Sequence, residues 1–158
     1  MLGFAGGFRR SELVNLHKTD LEFVSEGLKI TVRKSKNDQF GEGQVKGIPY
    51  FKNSKYCPVI AVQEWLSQTN ELHDKRLFPY SDKTVALIVK KYINLIGLDN
   101  KQYSAHSLRS GFATSTAESG ADERSIMNMT GHKSTEMVRR YIKESSLFKN
   151  NALNKIKN

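Results

Sequence analysis

The sequence predicts an α+β domain, mostly helical, with a small three-stranded antiparallel sheet near its N-terminus. Three observations carry this expectation. Alternating and β-branched residues occupy residues 21–32 and a further short run follows at 45–51, the pattern of half-buried strands. From Pro58 onward the apolar residues recur at three- and four-residue intervals instead, the period of helices. Glycines and capping residues then divide that second part into helix-sized lengths. At 158 residues the chain has the size of one domain, long enough for a core of its own.

Residues 1–7, MLGFAGG, read as the last turn of an apolar helix stopped by a glycine pair. Arg9 and Arg10 precede SELVNL, where Leu13 and Leu16 recur at a helical interval and Ser11 and Glu12 suit a first turn. In LEFVSEGLKITV the turn pair Glu26 and Gly27 predicts a hairpin. The polar stretch 34–44 then leads to a third strand in VKGIPYF and is expected to be a solvent-facing loop. PVIAVQEWLSQT places a proline at the first helical position and Ile60, Val62, Trp65 and Leu66 near one face. In DKTVALIVKKYINLIG the stripe Val85, Ile88, Val89, Tyr92, Ile93 and Ile96 predicts a core helix ended by Gly97. A helix from about His106 to Ser119 ends at Gly120, and another opens at Asp122 and stops before Gly131. The last starts at Ser134, with Met137, Val138, Tyr141 and Ile142 on one side.

Lys and Arg number 25 against 16 Asp and Glu, a net charge of +9, and the isoelectric point is near 9.7. Such a balance points to a polyanionic partner, with nucleic acid first among them. The single cysteine, Cys57, excludes an internal disulfide and has no neighbours at metal-ligand spacing. No apolar run approaches the roughly 18 residues of a membrane span, and the first residues lack the signal-peptide pattern. The expectation is a cytoplasmic protein that does not enter membranes.

Two short motifs and a tyrosine carry the chemistry. In HSLR, His106 and Arg109 lie three residues apart on a helix, roughly 60° apart around its axis, so one anion can touch both. Gly131 ends a helix, His132 follows in the turn, and Tyr141 comes nine residues later on the apolar side of the next helix. Each taken alone also fits an ordinary role: a surface His and Arg, a turn histidine, a half-buried core tyrosine. Transfer of a phosphoryl group from DNA to a tyrosine needs these together: cations for the non-bridging oxygens, an acid for the departing 5′ oxygen, and a well-placed phenol.

With these motifs in this order, the chain resembles the catalytic domain of the tyrosine recombinases, the phage-integrase-like enzymes, over essentially its whole length. The family's first arginine motif is matched by GFRRSEL, which assigns its arginine to Arg9 and the accompanying acidic residue to Glu12. Its hairpin lysine is matched within KSKNDQ by Lys36, with Lys34 as the alternative register. Its His-x-x-Arg motif falls on His106 and Arg109, its Gly-His motif on Gly131 and His132, and its nucleophile on Tyr141.

The resemblance implies site-specific recombination of double-stranded DNA without metal or other cofactor. Tyr141 would attack the scissile phosphate to give a 3′-phosphotyrosyl link and a free 5′-hydroxyl. Arg9 and Arg109 would clamp the non-bridging oxygens, and His106 and His132 would hydrogen-bond the phosphate, His106 also serving in proton transfer with the tyrosine. Lys36 would protonate the leaving oxygen and Glu12 would orient the cluster. Arg10, Lys34, Lys133, Arg139 and Arg140 are the candidate DNA-contacting cations beside these motifs. The resemblance also implies a single catalytic domain over residues 1–158, with the family's N-terminal DNA-binding domain and first catalytic-domain helix absent or truncated. In the full-length protein four protomers would assemble on DNA. The alternatives are a non-catalytic DNA-binding module, in which the helix-turn-helix-like segment 123–142 makes Arg139 and Arg140 base or phosphate contacts, and an inactive integrase remnant.

Overall fold

A computed structural model describes residues 1–33, 43–69, 75–132 and 134–146. Strands β1 (Leu21–Val24), β2 (Gly27–Val32) and β3 (Gln44–Pro49) form an antiparallel sheet in the order β1-β2-β3. Val24 pairs with Gly27, so the hairpin turn falls on Ser25 and Glu26, one residue earlier than the sequence suggests. Gly27 opens β2 at a point where a Cβ would meet the Ile48 carbonyl oxygen at 2.0 Å. Leu28, Ile30 and Val32 alternate inward along β2, and across the ladder Leu28 faces Ile48 while Ile30 faces Lys46. That register turns a lysine toward the core.

The helices are α1 (Leu2–Ala5), α2 (Arg10–Val14), α3 (Pro58–Gln68), α4 (Asp82–Leu95), α5 (His106–Glu118), α6 (Glu123–Thr130) and α7 (Thr135–Ser146). Their ends follow local chemistry. Pro58 sits at the start of α3, Ser81 caps α4 through the Thr84 N–H, and Asp122 caps α6 through the Ser125 N–H. Gly131 ends α6 in the left-handed conformation, φ 64°.

The buried apolar residues form two clusters. The larger joins Leu2, Phe8, Leu13 and Leu16 to the inner face of the sheet and to Val59 and Val62 of α3. The smaller holds Ala113, Ile126 and Val138, one from each of α5, α6 and α7, with Tyr141 and Ile142 packed against it. Each fully buried aliphatic side chain contributes about 1.5–3 kcal/mol, so these clusters fix α7 against α5 and α6. Several polar contacts tie the two clusters together, among them a hydrogen bond from the Gln44 side-chain amide to the Asn128 carbonyl.

Two further expectations fail. Only Val85 of α4 is buried; Tyr92 is 63 % and Leu95 69 % exposed. The helix is amphipathic but no core helix, because periodicity identifies the apolar face and says nothing of what covers it. That face, with Leu2, Leu13, Phe78 and Leu108, lines an open apolar groove of about 480 Å³. In α7, Met137 turns outward while its neighbour Val138 is buried, since adjacent helical residues point about 100° apart.

Candidate active site

The turn after α1 builds the floor of the site. Gly7 takes φ 53°, and a Cβ there would lie 2.9 Å from the Phe112 ring, so both conformation and space call for glycine. The two glycine carbonyls then accept from two cations. Lys46 Nζ donates to the Gly6 carbonyl oxygen at 2.9 Å, and Arg109 Nη1 donates to that of Gly7 at 2.9 Å.

Arg9 stands at the mouth of α2 as its N-cap. Glu12, in the first turn, reaches back to the Arg9 backbone N–H at 2.9 Å and accepts from Arg9 Nη1 at 2.6 Å. One carboxylate therefore closes the helix start and holds the guanidinium. Arg9 Nη2 also donates to the Gly131 carbonyl at 3.4 Å, joining the start of the chain to the turn before α7.

Lys46 is the residue that sequence reasoning missed. It is 1 % exposed, its ammonium lies 4.4 Å from the centre of the Phe8 ring and 3.8 Å from Glu12 Oε2. Burial brings its pKa down from 10.5 to about 8, Glu12 opposing and Arg109 and Arg9 reinforcing the shift. A signal was present in the sequence: Lys46 lies two residues from Ile48 on the same face of β3.

Arg109 is 2 % exposed. It occupies the inward stripe of α5 with Phe112 and Ala113, which aims it beneath α7. Its pKa is lowered to about 10, first by burial and next by Arg9, with Glu12 and Tyr141 acting the other way. Tyr141 thus lies within electrostatic reach of Arg109. Arg109 Nη2 is buried and has no acceptor among the described residues, so a charged donor is left for an incoming oxyanion.

His132 follows Gly131, its Nδ1 2.8 Å from the Thr130 hydroxyl. Burial, then Arg109, Arg9, His106 and Lys46 in turn, push its pKa down to about 4, so the ring is neutral at neutral pH. His106, the first residue of α5, is exposed at the rim. The structure therefore brings Arg9, Glu12, His106, Arg109, His132 and Tyr141 together and adds Lys46. Arg9, Lys46 and Arg109 face the single carboxylate of Glu12, an excess of two positive charges. Among the described residues, no group of three or more His, Cys, Asp or Glu is placed to hold a metal ion.

The flanking cations divide. Arg10 pairs with Asp82 at 3.0 Å and Arg139 with Glu123 at 3.1 Å; exposed pairs of this kind contribute little and exchange readily. Arg140 is exposed on α7. Lys34, Lys36 and Lys133 lie outside the described residues.

Comparison with known proteins gives the chain's family and fold. Residues 1–146 match the phage integrase family. The chain belongs to that family. An integrase/recombinase XerD homolog from Selenomonas ruminantium is 46 % identical over 99 % of this chain and 49 % of its own length. A tyrosine recombinase XerC from Syntrophus aciditrophicus is 31 % identical over 89 % of this chain and 46 % of its own. The chain thus spans about half the length of these phage-integrase relatives. Among solved structures, the XerH site-specific recombinase in a post-cleavage complex with its palindromic difH substrate superposes with a TM-score of 0.74 at 20 % identity, over 98 % of this chain and 42 % of that one. The XerA recombinase gives 0.72 at 23 % identity, over 95 % and 54 %. These likenesses show the phage-integrase catalytic fold, mostly helical with its three-stranded antiparallel sheet. Among the described residues, no helix is long and apolar enough to cross a membrane.

Proposed function

We propose that this domain cleaves and rejoins double-stranded DNA through a 3′-phosphotyrosyl intermediate, as the catalytic part of a site-specific recombinase. The observation that carries the reading is the buried, acceptor-less Nη2 of Arg109 beside Arg9, His132 and Tyr141. A phosphodiester oxygen satisfies that donor. The excess of two positive charges suits a phosphorane transition state, where the equatorial oxygens gain negative charge as the attacking and leaving oxygens lie in line.

In this reading the Tyr141 oxygen bonds to phosphorus, the phenolic proton passes to His106, and the bond from phosphorus to the 5′ oxygen breaks. Lys36 gives that oxygen a proton. Because the phosphotyrosyl ester keeps the bond energy, a 5′-hydroxyl from the second strand reverses the steps without ATP. Glu12 moves no proton: its oxygens are committed to Arg9, with Lys46 alongside, which suits an orienting role. Arg10, Lys34, Lys133, Arg139 and Arg140 are assigned to the DNA backbone, and the protein to the cytoplasm. The reading extends to a longer protein in which an N-terminal DNA-binding domain closes around the duplex and four protomers join two duplexes. A helix-turn-helix role for α6 and α7 gives Arg9, Lys46 and Arg109 nothing to do.

A pool of nicked duplexes of randomised sequence, each losing its 5′-hydroxyl fragment on cleavage, tests the reading. The expected result is a detergent-resistant adduct with protein on the 3′ end, and binding that weakens linearly in log Kd against log salt. Binding without any adduct, or affinity indifferent to salt, contradicts it. Lys36→Ala is expected to slow cleavage by about 10²–10⁴-fold and to be rescued by a sulfur leaving group at the 5′ position. Lys34→Ala should show neither effect; the opposite pattern would move the acid to Lys34.

A further inference from the structure

α6 ends on Thr130, which is buried and whose hydroxyl has two partners. It lies 2.6 Å from the Ile126 carbonyl oxygen and 2.8 Å from His132 Nδ1. A carbonyl oxygen only accepts, so the one hydroxyl proton is committed to Ile126. Toward His132 the same oxygen can offer only a lone pair. Nδ1 must then carry a proton, which in a neutral imidazole leaves Nε2 bare. The left-handed Gly131 between the two residues folds the turn so that this contact can form.

The groups facing the ring are Arg9 at the mouth of α2, Lys46 on β3, and His106 and Arg109 on α5. Glu12 lies beside Arg9 and Lys46, and Tyr141 beside Arg109. These charged neighbours are all basic, and burial first, with their repulsion added, keeps the ring neutral. A neutral ring with a bare Nε2 cannot donate a hydrogen bond to a phosphate oxygen. It repels that oxygen, lone pair against lone pair, until Nε2 gains a proton.

We infer that Thr130 is a positioning residue that fixes His132 in its Nδ1–H tautomer, so that His132 can grip the scissile phosphate only by taking up a proton from solvent at Nε2. This rests on the phosphodiester reading of the site. The balance is simple: one solvent proton is gained per phosphate bound, the imidazolium donates Nδ1–H to Thr130 and Nε2–H to a non-bridging oxygen, and no bond breaks. The phosphate supplies the negative charge that makes the uptake favourable among four basic neighbours.

Nitrogen-15 NMR of the histidine rings in the DNA-free protein at neutral pH reads the tautomer directly. Wild type and Thr130→Ser are expected to show His132 with a protonated Nδ1 and a bare Nε2. Thr130→Val keeps the shape but removes the lone pair, and is expected to move the proton to Nε2. A protonated Nε2 in wild type, or an unchanged tautomer in Thr130→Val, overturns the proposal; the wild-type spectrum decides even if the valine variant does not fold. Duplex binding measured from pH 8 to pH 6 supplies the second arm. Wild type and Thr130→Ser should tighten by up to about tenfold per pH unit as one proton is taken up, whereas Thr130→Val should lose that slope. Equal slopes in wild type and Thr130→Val refute the uptake. Absence of any duplex binding, with the Nδ1–H signal intact, removes the phosphodiester reading and the uptake with it, and leaves only the tautomer assignment standing.

Discussion

Tyr141→Phe is expected to abolish the covalent protein–DNA adduct while leaving duplex affinity and stability close to wild type. The ring packs against the cluster of Ala113, Ile126 and Val138, and phenylalanine preserves that contact. The lost hydroxyl lies near Arg109, whose anchoring hydrogen bond runs to the Gly7 carbonyl and does not involve the tyrosine. Stability should therefore change by less than about 1 kcal/mol, as for substitutions that open no cavity and bury no unpaired group. In the proposed mechanism the phenolic oxygen is the atom that becomes covalently bound, so adduct formation should fall below detection. A denaturing gel after incubation with the nicked substrate gives the result, and thermal unfolding gives the control. An adduct that persists in the phenylalanine variant places the nucleophile elsewhere in the chain.

Glu12→Ala is expected to be the most destabilising single change in the site. The carboxylate is 3 % exposed, accepts twice from Arg9 and lies 3.8 Å from the buried Lys46 ammonium. Without it, Lys46 keeps, among the described residues, only the Gly6 carbonyl and the Phe8 ring, while Arg9, Lys46 and Arg109 repel one another. Removing one partner of a buried charged pair costs about 3–5 kcal/mol, and the loss of the Arg9 backbone cap adds about 1 kcal/mol. Urea unfolding measures it. Lys46→Met should cost much less, since Glu12 retains Arg9, and the double variant Glu12→Ala with Lys46→Met should recover part of the loss. If the two changes prove additive, Lys46 and Glu12 are not coupled and the network described above is wrong.

Much of the fold was legible because it rests on periodicity. The strands alternate, the later helices carry three- and four-residue stripes, and Ser81, Asp122 and Gly131 sit where caps are needed. The positions of Arg9, Arg109, His132 and Tyr141 were legible through motif order. The identity of α4 as a helix was legible, but its burial was not, because the apolar stripe of Tyr92, Leu95 and Ile96 is the same whether or not another element lies against it. Lys46 escaped because a lysine reads as solvent-facing, although its two-residue spacing from Ile48 puts it on the inward face of β3, opposite Ile30. Thr130 escaped for a different reason. Its role depends on a left-handed turn that brings residues 130 and 132 into contact, and no propensity at either position announces a hydrogen bond across a glycine.

The Arg9 contact with Gly131 also bears on the order in which the chain acquires its chemistry. That hydrogen bond spans 122 residues, the one from Arg109 to Gly7 spans 102, and the one from Lys46 to Gly6 spans 40. Closing long segments is entropically costly and slow compared with forming local helices. The glycine turn, the sheet and the last two helices must all be docked before the arginines and the tyrosine share a pocket. A chain emerging during synthesis, or one partly unfolded, carries its cations, but Tyr141 is not yet beside the arginines. The strand cleavage proposed for this site is thereby confined to the finished fold.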